Sequence, residues 1–279
     1  MIYTGIKASM ADWHEKVDAN PDFFELIVKQ EDNDVQDSAI VKLESMGLPW
    51  FGHLPTSFDD EDDKILLNIA SANRAIRIRS RVIIGDIIDK INGKFSPKGW
   101  ILHTPTSWNF STKRKLFGKG GHIELQDAIN WISSLGRNVF IENVPPSLMW
   151  KGEVYNTEPY EFQTENPLLD TGHLYASTQS DNAFLVQMLK KAQRAKYFHL
   201  ASLTANRPFD VHGKVFAAKE QEFPDINLLR NVLSNIVRTM SEFEQDVYLV
   251  CEPGGDASLH KNNLELLRNE LSAIMHSKK

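Results

Sequence analysis

Only one cysteine, Cys251, occurs in 279 residues, which excludes an internal disulfide and any zinc cluster built on thiolates. Any metal must therefore be held by His, Asp and Glu. No apolar run is long enough to span a bilayer, so neither a transmembrane helix nor a membrane partner is expected. The opening MIYTGIKASM has no basic segment leading into an apolar stretch and a small-residue cleavage site. No signal peptide is expected, and the chain reads as cytoplasmic. An excess of positive charge is missing too: the net charge of −6 argues against a globally basic nucleic-acid binder but leaves local patches open. Linkers rich in Gly, Ser or Pro, short repeats and low-complexity tracts are also lacking, so residues 1–279 read as a single domain.

What is present is ordinary in bulk, with 42% hydrophobic and 24% charged residues, and informative in order. Short apolar, β-branched segments alternate with amphipathic ones, the pattern of repeated βα units around a parallel sheet. Eight strands can be read: IYTGIKA, FFELIVK, WFGHLP, WILHTP, VFIENVP, LLDTGH, YFHLAS and VYLVCEP. Helical spacing marks HIELQDAINWISSLG, NAFLVQMLKKAQR, INLLRNVLSNIVRTM and NLELLRNELSAIM between or after them. Eight units close naturally into one α/β domain, a (β/α)8 TIM barrel. The alternative, an open doubly wound sheet, would place a glycine-rich phosphate loop after the first strand, and GIKASMADW contains no GxGxxG.

The last residues of the third to eighth strands are His53, His103, Glu142, Asp170 with His173, His199 and Glu252. The loop after the seventh adds Asp210 and His212, two positions apart. Taken singly, each has an ordinary structural reading: a hydrogen-bonded histidine, a rim carboxylate, a polar loop, or Asp170 capping the next helix. Taken together they are harder to dismiss, because five of nine histidines fall at these ends or the adjoining loops. A TIM barrel brings its strand ends to one bowl. Nine ligands exceed the three or four that one zinc ion takes, so two or three ions are expected, zinc first and manganese as a second option. Multinuclear sites suit phosphoryl chemistry, in which one ion readies the attacking hydroxide and others hold the leaving oxygen. Cys251, one step before Glu252, should face the opposite way and belong to the core.

This pattern resembles endonuclease IV, the abasic-site endonuclease family of the xylose-isomerase-like TIM barrels, over nearly the whole chain. That family ends strands three to eight with His, His, Glu, Asp-x-x-His, His and Glu and adds Asp-x-His after the seventh. The resemblance implies one ion at His53, His103 and Glu142, with Glu142 bridging to a second at Asp170, His199 and Glu252. It places a third ion at His173, Asp210 and His212. It further implies a hydrolase, cutting DNA 5′ to abasic sites, for which DNA with backbone lesions is the partner and no obligate protein partner is expected.

Departures from the family lie in two loops. Thr56 replaces a tyrosine in the third-strand loop, and five acids at 59–63 follow it. After the fourth strand, Lys113, Arg114 and Lys115 sit among Trp108, Phe110 and Phe117, a set able to bind a phosphate backbone and stack an unpaired nucleotide. A solvated surface loop is the alternative for both. The second functional expectation is a sugar isomerase or epimerase of the same superfamily. It would need one ion at Glu142, Asp170, His199 and Glu252, with Glu142 and Glu252 moving protons. A metal-bearing scaffold for a protein partner is the third.

Overall fold

A computed structural model describes residues 1–29, 33–60, 63–71, 73–103, 108–109, 114–115, 121–136, 138–143, 166–178, 181–200, 226–251 and 257–277. Eight parallel strands close into a barrel: β1 Ile2–Ser9, β2 Phe23–Ile27, β3 Trp50–His53, β6 Trp100–His103, β9 Val139–Glu142, β10 Pro167–Asp170, β11 Tyr197–Leu200 and β12 Val247–Cys251. Around the ring the order is β1, β12, β11, β10, β9, β6, β3, β2, the sequential order with β1 and β12 joined. The eight strands read from the sequence are these eight. Helices α1 Asn33–Ser45, α2 Arg74–Asn92, α3 Gly121–Ser134, α4 Thr171–Thr178, α5 Asp181–Ala192, α6 Ile226–Phe243 and α7 Ala257–His276 lie between or after them. None of the described helices is long and apolar enough to cross a membrane.

Two short antiparallel hairpins interrupt the alternation where the sequence showed irregular loops. One pairs β4 Ser57–Asp60 with β5 Asp63–Leu66, and the other pairs β7 Trp108–Asn109 with β8 Arg114–Lys115. They follow the third and fourth barrel strands, so the chain leaves the barrel by the end that carries the strand termini. Of the acidic run, Asp59, Asp60 and Asp63 lie on this first hairpin, with Asp60 opposite Asp63 and Asp59 opposite Lys64.

Period-two alternation divides the strand side chains between two cores. Outward residues such as Phe24, Trp50, Ile141, Phe198 and Cys251 join helix residues such as Ile84, Leu233 and Leu267 in the larger cluster. Cys251 is fully buried there, as its place beside Glu252 predicts. The inward set is Phe23, Phe51, Ile101, Phe140, Leu168, Tyr197 and Val250, with Tyr3 and Tyr248 against it. Its rings meet mostly edge to face, as Phe51 does with Phe23, Phe140, Tyr197 and Tyr248 at centroid separations of 5.0 to 6.0 Å. That geometry suits the ring quadrupoles and packs the rings into the barrel interior. Gly5 is required by this layer, because a Cβ there would stand 2.4 Å from the Phe23 ring.

Candidate metal centre

Two residues beyond each inward ring or aliphatic side chain, the next inward position carries a polar group. Phe51 leads to His53, Ile101 to His103, Phe140 to Glu142, Leu168 to Asp170 and Tyr197 to His199. The aromatic layer is therefore the floor of the site, and the titratable layer stands on it. Glu142, Asp170 and His199 are fully buried, whereas His103 is partly open to solvent.

Glu142 occupies the centre and uses its two oxygens in different directions. Oε2 lies 3.2 Å from His103 Nε2 and 3.6 Å from His53 Nε2, and those two nitrogens are 3.2 Å apart. Oε1 lies 3.2 Å from His199 Nδ1, which is 3.8 Å from Asp170 Oδ2. Two donor groups result, His53 with His103 and Glu142, and Glu142 with Asp170 and His199. Tetrahedral coordination at about 2.0 to 2.2 Å places neighbouring ligand atoms about 3.3 to 3.6 Å apart. The spacings of the first group, 3.2 to 3.6 Å, and those given for the second, 3.2 and 3.8 Å, fall within about 0.2 Å of that range, so both sets of residues fit a divalent ion.

Tautomers support the same reading. His53 Nδ1 donates to the Leu54 carbonyl at 3.0 Å, and His173 Nδ1 donates to the Asn143 carbonyl at 2.5 Å. A neutral imidazole engaged this way keeps its lone pair on Nε2, the usual state of a metal-ligating histidine. Burial and then the Lys7 charge hold His53 below its ordinary range, which keeps it neutral. Burial would raise the Glu142 carboxyl, but the charges of His103 and His199 prevail and hold it well below the usual carboxylate range.

Asp170 fills both roles that its sequence allows. Its Oδ1 accepts the backbone N–H of His173 at 2.7 Å, capping α4, while Oδ2 faces His199. A helix cap and a metal-competent oxygen thus coexist on one carboxylate. His173 itself sits in the first turn of α4, 3.6 Å by Nδ1 from Glu142 Oε1.

Three groups escaped the sequence reading. The Asn143 amide brackets the Asp170 backbone, accepting its N–H at 2.6 Å and donating to its carbonyl at 3.1 Å. The Thr171 hydroxyl donates to the His199 carbonyl at 3.1 Å, tying the start of α4 to β11. Glu25, fully buried on β2, accepts His199 Nε2 at 2.8 Å. The signal for Glu25 was available: an acid two residues after inward Phe23 in FFELIVK. Of the expected site residues, Asp210, His212, Glu252 and Lys113 lie outside the described residues, while Trp108, Arg114 and Lys115 lie on the β7–β8 hairpin.

No protein-family model matches the chain, and no curated protein matches it. Solved structures do match its fold. An L-ribulose 3-epimerase superposes with a TM-score of 0.67 at 12% identity, covering 100% of this chain and 97% of its own. A D-tagatose 3-epimerase-like protein gives 0.63 at 14%, covering 99% and 100%. The fold they share with this chain is the (β/α)8 TIM barrel. A D-allulose 3-epimerase from Methylomonas sp. gives 0.62 at 12%, covering 97% and 98%. A Thermus thermophilus protein soaked with zinc chloride gives 0.54 at 13%, covering 96% and 98%. At these identities the likeness shows the fold alone, and the endonuclease IV family expected from the strand ends is not shown by it.

Proposed function

We propose that this chain is a divalent-metal-dependent enzyme that isomerises or epimerises a ketose. One observation carries the reading: Glu142, Asp170 and His199 converge at the strand ends of a barrel shared end to end with structures named as sugar 3-epimerases. Epimerisation beside a carbonyl needs a base that takes a proton from carbon and an acid that returns one on the other face. Glu142, buried and held ionised by its histidine neighbours, is the proposed base. Glu252 is the proposed second proton carrier. Ions held by Glu142, Asp170, His199 and Glu252, zinc or manganese, would polarise the substrate carbonyl and offset the negative charge that develops on its oxygen. Partly open His103 marks the side from which substrate reaches Glu142.

A second reading is favoured by a specific observation. His53 and His103 make a further donor group with Glu142, and a single-ion isomerase does not require it. In that reading the enzyme hydrolyses DNA 5′ to abasic sites, His173, Asp210 and His212 complete a third group, and Lys113, Arg114, Lys115 and Trp108 meet the DNA. The epimerase names on matching folds are the reason for placing it second.

Both readings meet in one experiment. Protein loaded with Mn or Zn is incubated in parallel with a panel of ketoses and with a duplex containing one abasic analogue. The expected result is a C3 epimer by chromatography and an intact duplex. A nicked duplex without any epimer would replace the first reading by the second.

A further inference from the structure

His199 is held from two sides. Its Nδ1 faces Glu142 and Asp170, and its Nε2 meets Glu25 Oε2 at 2.8 Å. Glu25 lies on β2, and two strands, β1 and β12, stand between β2 and β11 in the ring, so this contact crosses the barrel interior. The same Oε2 accepts the Tyr197 hydroxyl at 2.7 Å, and Oε1 lies 3.5 Å from Lys7 Nζ. With the Lys7 ammonium facing one oxygen and two hydrogen-bonding groups facing the other, Glu25 is surrounded as a carboxylate. An ionised carboxylate only accepts hydrogen bonds. The proton between Glu25 and His199 therefore sits on Nε2.

We propose that Glu25 is a positioning residue of the metal centre, fixing the tautomer and rotation of His199 so that the Nδ1 lone pair faces the ion shared with Glu142 and Asp170. The inference rests on reading that group as metal-binding. A carboxylate behind an imidazole makes it a stronger ligand and sets its orientation, and losing such a partner typically weakens metal affinity by about 10- to 100-fold. Burying a charged carboxylate in an apolar barrel is costly unless it is paired. Lys7, Tyr197 and His199 supply that pairing, and His199 connects it to the donor group. A neutral acceptor could serve Tyr197 alone. The tautomer of His199, however, is enforced by an acceptor that cannot donate.

The test uses cobalt(II) as the probe, with the intact chain. Glu25→Gln keeps the size and removes the charge. It should bind cobalt about 10- to 100-fold more weakly than wild type and shift the visible absorption of the bound ion, while the far-ultraviolet circular dichroism stays unchanged. Tyr197→Phe removes the other hydrogen bond on Oε2 and should leave cobalt affinity close to wild type. Wild-type affinity in Glu25→Gln overturns the inference while leaving the metal reading intact. Failure of the wild type to bind cobalt overturns the metal reading and this inference with it. A measurement without Glu25 variants stands beside these: long-range 1H–15N correlation of the metal-free wild type should show His199 protonated on Nε2. The signal is assigned by its loss in His199→Asn, and protonation on Nδ1 would overturn the proposal even if Glu25→Gln failed to fold.

Discussion

Glu142→Gln should remove most of the stabilisation that divalent ions confer on this chain, because Glu142 gives one oxygen to each donor group. Its Oε2 faces His103 and His53 and its Oε1 faces His199. At a free ion concentration one hundred times Kd, one site adds about 2.7 kcal/mol to stability. For a chain of this size about 1 kcal/mol moves Tm by roughly 2 to 4 °C. One filled site should therefore raise Tm by roughly 5 to 11 °C, and two filled sites by about twice that. A hundredfold loss of affinity at the same ion concentration leaves only about 0.4 kcal/mol per site, or roughly 1 °C. His53→Ala touches the first group alone and should retain close to half of a two-site gain. The assay is a thermal melt of each variant with Mn and with a chelator, so that the effect of the substitution on the metal-free fold cancels. A full ion-induced gain in Glu142→Gln would refute the shared-carboxylate geometry. So would an equal loss in His53→Ala and Glu142→Gln.

Three further outcomes follow from the fold and its buried groups. Acid should destabilise the metal-free protein in two stages. His53 is held below its ordinary 6.5 and Glu142 well below its ordinary 4.5, so at both sites the unfolded chain binds the proton more readily and stability is lost as pH falls. Urea midpoints should drop as pH passes below 6.5 and again below 4.5, and a flat profile from neutral pH to about pH 4 would contradict the assignment. Gly5→Ala should cost about 1 to 3 kcal/mol by overpacking, since its Cβ would stand 2.4 Å from a Phe23 ring packed edge to face against Phe51, Tyr197 and Tyr248; wild-type stability in a urea melt would show that the aromatic floor can move. Burial pushes the Cys251 thiol up to about 12, so a thiol reagent at about pH 8 should label it only at the rate of unfolding, and immediate labelling of the folded chain would refute its place in the core.

The barrel was legible because the strands are short apolar runs, several of which carry a polar residue at or next to their last position. Tyr197 and His199, or Phe140 and Glu142, are two steps apart, and a parallel strand buried on both sides leaves that step as the clearest mark of which face is which. The same rule reaches Glu25 from Phe23, but an acid inside FFELIVK looks like a lapse in an apolar strand until the tertiary partner is known. Its partner is 174 positions away on β11, and no local pattern encodes that distance. Asn143 was visible beside Glu142, yet its service to the Asp170 backbone depends on the β9–β10 neighbourhood. The β7–β8 hairpin was missed because its strands are two residues each, too short to show alternation. Asp170 illustrates a different limit: spacing alone offered a cap or a ligand, and the folded chain uses its two oxygens separately.

The reaction itself is tested most directly by exchange at carbon. In D2O, the manganese-loaded protein is incubated with a ketose and the carbon next to the carbonyl is followed by 1H NMR. Incorporation of solvent deuterium at C3, abolished in Glu142→Gln, is the result that the proposed base predicts. No deuterium at C3 of any ketose, together with cleavage of an abasic duplex by the same preparation, would contradict it.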